Sequence, residues 1–362
     1  MYLTKIISNN FRNLVNLNLS FNKQINVFVG ENGQGKTNLL EGIYFMSLTK
    51  SFKTNKAVEM ITFNQNEFFL RANLYKKEYP YQIDISLNKN KKNISINDNN
   101  ESKFKDVIGL LNVVLFVPED LQLLKGNPAL RRKLLDIELS KLYPKYLFNL
   151  SSYYHVLKQR NSYLKSEKID ELVLDSLDIQ LAKYGVILTE YRRNFIKELE
   201  KLVNDFYQII SESQEIVTLR YLSLVKNDEN LYYEDLKNGL QRDLLLQQTN
   251  LGIHRDDFQI NINDRNAGIF ASQGEQRTII LAIKLALVEY IYQIIHDYPI
   301  LLLDDVMSEL DSKRQANLIK YLNDNIVQTF ITTTNVSALE KEIIKKAKLF
   351  SINDGVVREA EH

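Results

Sequence analysis

The sequence predicts an α/β fold: a sheet interrupted by a long helical insertion. Three observations carry this prediction. The stretch "INVFVGENGQGKTNLLEGIYF", 25–45, reads as strand, glycine loop and helix. Leucines and aromatics then recur at near-heptad spacing through 135–206, and "YPILLLDDV", 298–306, reads as a buried strand ending in two aspartates.

In the first stretch Ile25, Val27 and Val29 alternate as strand residues do, and apolar residues at helical spacing follow from Asn38. Between them, Gly30-x-x-x-x-Gly35-Lys36-Thr37 fits a phosphate-binding loop. In such a loop backbone N–H groups surround phosphates, the lysine reaches the β and γ oxygens and the threonine hydroxyl ligates Mg²⁺. Glycines permit the tight turn, and the helix N-terminus brings its positive end to the same place. Downstream, "FFLRANLY", "YQIDISL" and "NISIN" alternate apolar and polar residues, which predicts antiparallel hairpins.

The period changes beyond Pro118. Leu135, Leu139, Leu142, Tyr146, Leu150, Tyr153, Leu157 and Leu164 form one near-heptad series, and Leu177, Leu181, Tyr184, Leu188, Tyr191, Phe195, Leu199, Leu202 and Phe206 form another. Two long helices are expected, paired as an antiparallel hairpin, with Pro144 a candidate interruption. The second, of about 40 residues, would reach about 60 Å. The expected division is therefore a first head segment at 1–120, a helical lobe at 121–245 and a second head segment at 246–362. In the last segment "QTFITTT" should pair in parallel with "YPILLLDDV", the helix 312–323 lying between them.

Composition narrows the function classes. The 362 residues are 44% hydrophobic and 25% charged, within the globular range. With no cysteine, disulfides, thiolate metal sites and a cysteine nucleophile are excluded. His155, His254, His296 and His362 show no metal-ligand spacing. No signal-peptide pattern opens the chain, and no apolar run is read as approaching the roughly 20 residues that span a bilayer, so a cytoplasmic protein with no membrane partner is expected. A net charge of +1 argues against a globally basic DNA-coating protein. Locally, 125–165 carries nine Lys or Arg against Asp136 and Glu138, a candidate phosphate-backbone surface in which Arg131, Arg132 and Lys133 are the first choices.

Asp304, at the carboxyl end of its strand, is the candidate Mg²⁺ ligand beside Thr37, and the adjacent Asp305 is the candidate general base that accepts a proton from attacking water. A helix-capping pair is the alternative reading of these two acids. "SQGEQ", 272–276, puts the Ser272 hydroxyl and the Gly274 amide at the start of an apolar helix, a second anion site. One nucleotide needs only one such cradle. The second would serve a nucleotide held by another subunit, and a plain helix cap is again the alternative.

Taken together, the phosphate loop, "SQGEQRT", "LLLDD" and the "SELD" loop of 308–311 resemble the ATP-binding-cassette head shared by SMC proteins. "NNFRNL" at 9–14, "FVPEDLQLLKGNPALRRKLLD" at 116–136 and "GIHRDDF" at 252–258 narrow the resemblance to the RecF family of bacterial recombination proteins, although Ile253 stands where that family usually has proline. The resemblance covers nearly the whole chain. It implies an ABC/SMC-like P-loop ATPase head with an inserted helical-hairpin lobe. It also implies an ATP-dependent homodimer that binds duplex DNA near single-strand gaps, with RecR and RecO as partners in loading RecA.

By the same resemblance, Arg12 and Asn13 approach the nucleotide, residues of the loop from Gly30 through Glu31, Asn32, Gly33, Gln34, Gly35, Lys36 and Thr37 to Asn38 hold phosphates, and Ser272 and Gly274 meet the partner's γ-phosphate. The switch position has Thr333 or Thr334 instead of histidine, and Gln122 is the candidate metal-sensing glutamine. With an aspartate base, slow hydrolysis is expected. Two other readings share the motifs. A compact transporter cassette would not separate Lys36 from Ser272 by 236 positions with a heptad-rich insertion between them. An SMC-type DNA-bridging ATPase would need longer helical arms.

Overall fold

The computed structural model describes residues 1–88, 91–100, 102–307, 310–336, 339 and 341–360. Strands β1 (Tyr2–Phe11) and β2 (Leu14–Ser20) pair antiparallel across a turn in which Arg12 has φ 56°. The buried strand β3 (Ile25–Val29) leads through the glycine loop into α1 (Lys36–Leu48). Next come β4 (Glu67–Lys76), β5 (Tyr79–Asn88) and β6 (Lys92–Ile96). Lys77 and Glu78, both at positive φ, close the first of these hairpins as a two-residue turn requires.

The chain continues through α2 (Phe104–Val107), β7 (Val113–Phe116) and α3 (Gln122–Lys125) to α4 (Pro128–Leu142). Pro144 ends that helix's run and begins α5 (Pro144–Tyr163), because proline lacks the N–H a helix interior needs but fits a first turn. Helix α6 (Glu171–Ser211) has 41 residues. After β8 (Val217–Leu222), α7 (Glu229–Asn238) and α8 (Leu240–Leu246) come β9 (Asp257–Ile262), β10 (Arg265–Asn266), α9 (Ala267–Phe270) and α10 (Gln273–Ile295). The last elements are β11 (Ile300–Asp304), α11 (Ser312–Asp324), β12 (Thr329–Thr333), α12 (Lys341–Lys346), β13 (Lys348–Asn353) and β14 (Val356–Glu359).

The chain forms two compact units. The first comprises 1–121, 206–213 and 277–362, and the second 122–205 and 214–276. These bounds differ from the division expected at 121–245. The reason is β8, which pairs along its length with β9 and draws the segment up to 276 into the second unit.

The first unit has two sheets. One is antiparallel, in the order β2-β1-β4-β5-β6, and the other has the order β14-β13-β3-β12-β11-β7, parallel except at the β14 edge. Because β12 separates β3 from β11, Thr332 is the register partner of both Phe28 and Asp304. Helix α10 corrects one expectation. It is long and apolar enough by composition to cross a membrane, yet most of it is buried, as the unbroken run of buried residues from Ile279 to Val288 shows.

The second unit carries α4, α5 and most of α6 with the sheet β10-β9-β8. Its helical seams are not purely apolar. Arg160 is fully buried between Asp178 (Nε–Oδ1 2.5 Å) and Asp243 (2.6 Å) and also donates to the Thr249 hydroxyl. His254 lies nearby, with Nδ1 2.9 Å from the Tyr153 hydroxyl and Nε2 3.0 Å from the Thr249 carbonyl.

Burial pushes the His254 pKa down from 6.5 to about 4, while the Thr249 carbonyl acts in the opposite direction. Between those values the unfolded chain binds more protons than the folded one, so stability should rise with pH across this window, by at most about 3 kcal/mol. Asp256, whose pKa burial raises, contributes with the opposite sign. Unfolding measured from pH 4 to 7 should give a shallower pH slope for His254→Gln than for the native chain. Equal slopes would remove His254 from the account.

Candidate nucleotide-binding site

The glycine loop is shaped by its neighbours. The Gly30 N–H donates to the Thr333 carbonyl, and a Cβ at Gly30 would come within 2.3 Å of the Ile352 carbonyl oxygen. Gly35, the residue preceding α1, has φ 112°, a conformation that disfavours any side chain. The loop closes around the Lys36 ammonium, which donates to the carbonyls of Gly30 (2.6 Å) and Glu31 (3.0 Å). Burial pushes the Lys36 pKa down, and the carboxylates of Asp305 and Asp304 oppose the shift.

The two strand ends converge on Asp304. Its Oδ1 accepts from the hydroxyls of Thr37 (3.0 Å) and Thr332 (2.7 Å), and the Thr332 hydroxyl oxygen in turn accepts the Asp305 N–H at 2.9 Å. Asp305 sits at φ 54°, a left-handed turn directly after β11. A hydroxyl beside a carboxylate is the hard-oxygen donor pair that suits Mg²⁺, a cation that draws its remaining ligands from phosphate and water. Among the described residues no group of three His, Cys, Asp or Glu could by itself hold a metal.

A charged network underlies the loop. Glu41, fully buried on α1, receives both arms of Arg12 (2.9 and 2.7 Å) and the Ser51 hydroxyl, and Arg12 also donates to the Glu59 carbonyl (2.7 Å). The Arg12 guanidinium expected at the nucleotide is thus committed to Glu41. Asn13 bridges the Gln34 carbonyl (3.2 Å) and the Asn38 amide (2.9 Å). The β13–β14 turn closes on the same loop, since the Asp354 and Gly355 N–H groups donate to Gln34.

Four residues that sequence patterns do not single out belong to this network: Glu41, Ser51, Lys53 and Thr332. Lys53 donates to the Asn38 Oδ1 (2.9 Å), and burial of its amine lowers its pKa against the pull of Glu41 and Asp304. Only Glu41 leaves a local signal, a lone charge inside the apolar run "NLLEGIYF". Thr332, not Thr333 or Thr334, touches Asp304. Thr333 instead bonds to the backbone of Asn335, and Thr334 is exposed.

In the second unit, Ser272 opens α10 with a reciprocal cap. Its N–H donates to the Glu275 carboxylate (2.6 Å) and its hydroxyl accepts the Glu275 N–H (3.3 Å). Ser272 is exposed and Gly274 half-buried. Gln122 is exposed at the start of α3. Of the "SELD" loop, Ser308 and Glu309 lie outside the described residues, as does His362, while Asp311 caps α11 by accepting the Arg314 N–H.

The basic segment is rearranged by the structure. Arg131 is tied bidentately to Asp257 (2.7 and 2.8 Å) and donates to the Leu123 and Gly126 carbonyls, and Arg132 donates to the Asp256 carbonyl (2.7 Å). Arg160 and Lys141 are buried. The guanidiniums of Arg131 and Arg132, expected to lead the DNA contacts, thus hold the "GIHRDDF" segment. Lys125, Lys133, Lys145, Lys158 and Lys165 remain exposed. Lys133→Ala should therefore weaken duplex binding modestly and reduce its salt dependence by about one counterion, whereas Arg131→Ala should lower the unfolding midpoint. Salt-titrated binding and melting of both variants would separate the roles; unchanged stability in Arg131→Ala would return it to the candidate DNA surface.

Comparison with known proteins agrees with this geometry. Residues 2–357 match the family model described as RecF/RecN/SMC N terminal domain. The DNA replication and repair protein RecF of Streptococcus suis (strain 05ZYH33) is 44% identical over 367 residues, 100% of both chains. That of Streptococcus gordonii is 43% identical over 364 residues, covering 99% of this chain and 100% of the relative.

A solved structure described as "Structure of the recombination mediator protein RecF-ATP in RecFOR pathway" is similar with a TM-score of 0.91 at 35% identity, covering 99% of this chain and 98% of that one. An SMC head bound to the C-winged helix domain of ScpA shares the fold, with a TM-score of 0.57 at 13% identity over 99% of this chain and 97% of that one. On sequence matched from end to end and on the ABC/SMC-type ATPase head they have in common, the chain belongs to the RecF family of DNA replication and repair proteins.

Proposed function

We propose that this chain binds ATP with Mg²⁺, pairs with a second copy when it does so, and uses the pair to grip duplex DNA near single-strand gaps, with RecR and RecO as partners. The observation that carries the nucleotide reading is the meeting of the Thr37 hydroxyl and the Asp304 carboxylate at 3.0 Å beside the Lys36 ammonium. Bound there, ATP and Mg²⁺ would supply the transferable phosphoryl group and its charge neutralisation. The chain's own residues do the rest. Lys36 exchanges its two loop carbonyls for phosphate oxygens, Thr37 and Asp304 hold the cation, and Asp305 takes the proton of the attacking water.

Ser272 and Gly274 form the complementary half of the site, offered to a nucleotide held by another copy. ATP then stabilises the pair by mass action, because it binds the closed form preferentially, and hydrolysis releases the pair. The similar ATP-bound protein is described as a mediator in the RecFOR pathway, which supports RecR and RecO as the partners.

Replacing Ser272 by arginine puts a bulky cation at this second half. Ser272→Arg should bind ATP as a monomer like the native chain but fail to double its mass in light scattering with Mg²⁺ and ATP. A variant that still doubles, or a native chain that never does, would overturn the reading.

A further inference from the structure

The residues just before Ser272 form a surface that the nucleotide site leaves unexplained. Helix α9 is clamped in place: the Asn266 side chain accepts the Gly268 N–H (2.9 Å), and the Gln276 amide donates to the carbonyls of Ala271 (2.9 Å), Ala267 (3.4 Å) and Gly268 (3.5 Å). Gly268 lies so close to α3 that a Cβ there would come within 2.3 Å of the Leu124 carbonyl oxygen. Yet Ile269 and Phe270 are 74% and 63% exposed. A groove of about 310 Å³, with Leu123, Phe258 and Ile260 among its lining residues, opens beside Ile269. Two large apolar side chains on a loose tail would need no explanation. Held outward by a turn this constrained, they are pre-organised for contact.

We infer that Ile269 and Phe270 form an apolar anchor against a second copy of this chain, on the surface bordering that copy's phosphate-binding loop. The inference rests on the proposed closure of Ser272 on a nucleotide held by the partner. The occupant follows from chain length. Phe270 and Ile269 precede Ser272 by two and three residues, and an extended chain spans at most about 3.6 Å per residue, so both lie within about 11 Å of a residue that must reach the partner's nucleotide.

A division of labour results. The polar cap at Ser272 and Gly274 makes the pairing depend on the γ-phosphate, while the anchor supplies affinity that does not depend on the nucleotide. A two-fold pair uses the contact twice, so each substitution counts twice.

The test is the dissociation constant of the pair formed by the full chain with Mg²⁺ and the slowly hydrolysed analogue ATPγS, measured by sedimentation. Phe270→Ser and Ile269→Ser should each weaken the pair about 100-fold or more, the effect of exposing two large apolar side chains. Monomer affinity for ATPγS and the melting profile should stay unchanged. Leu172→Ser, which removes an 80% exposed side chain at the start of α6, should have no effect on pairing.

A native chain that does not pair would defeat the proposed function itself. If the native chain pairs and the two serine variants pair equally well, only the anchor is refuted. An equal loss in Leu172→Ser, or loss of monomer nucleotide binding in the serine variants, also refutes it.

Discussion

Lys36→Ala is expected to weaken ATP binding by about 100-fold or more, the largest functional effect of any single substitution in the first unit. The ammonium sits inside the loop with two carbonyls as partners, in the position where β and γ oxygens would replace them. Each charge-assisted hydrogen bond lost is worth about 1.5–3 kcal/mol, or roughly one to two powers of ten in affinity. The fold should survive, because alanine leaves two carbonyls that water can satisfy and the α1 core of Leu39, Leu40, Ile43 and Phe45 is untouched.

Asp305→Asn should behave differently. The amide keeps the size of the side chain but cannot accept the proton, so ATP should bind while turnover falls. Titration with a fluorescent ATP analogue, alongside single-turnover hydrolysis, distinguishes the two variants. Native affinity in Lys36→Ala would remove the lysine from the phosphate site, and loss of binding in Asp305→Asn would move that aspartate into the cation's shell.

The parts of this site that are legible in the sequence are those built from short contiguous patterns. A strand, a glycine loop and a helix announce themselves within 21 residues, and an apolar strand ending in two acids does so within nine. What binds these pieces together is not legible. Thr332 touches Asp304 only because β12 comes between β3 and β11, a consequence of sheet order that no local pattern encodes. Arg12 pairs with Glu41 across 29 positions for the same kind of reason.

The helical region shows the opposite error. Heptad spacing locates α4, α5 and α6, but counting the charges there treats each arginine as a solvated group. Arg131, Arg132 and Arg160 are instead absorbed by the unit's own carboxylates and carbonyls, including partners on the "GIHRDDF" segment, which the sequence pattern assigns to a different domain.

Arg192→Met should be the most destabilising single change in the second unit. The Arg192 side chain is 0% exposed; it bonds to the Asp136 carboxylate at 2.6 Å, the Tyr146 hydroxyl at 3.0 Å and the Ile253 carbonyl at 2.8 Å, with Asp256 3.8 Å away. Asp256 also accepts the Tyr221 hydroxyl. Forming such a pair gains little over an apolar core, since both ions lose their water. Breaking it is costly, at about 3–5 kcal/mol, because the abandoned charges stay buried.

Methionine fills much of the arginine's volume, so the loss would report charge and hydrogen bonding more than a cavity. Adding Asp136→Asn should return part of that stability by removing one stranded carboxylate, a coupling that a double-mutant cycle would measure. The phosphate-binding loop belongs to the first unit, so binding of ATP should persist at temperatures below the transition. Urea titrations followed by tyrosine absorbance and by nucleotide binding would test both statements. A midpoint within error of the native chain, or a double variant as weak as the sum of the single ones, would show that Arg192 is not the keystone of that core.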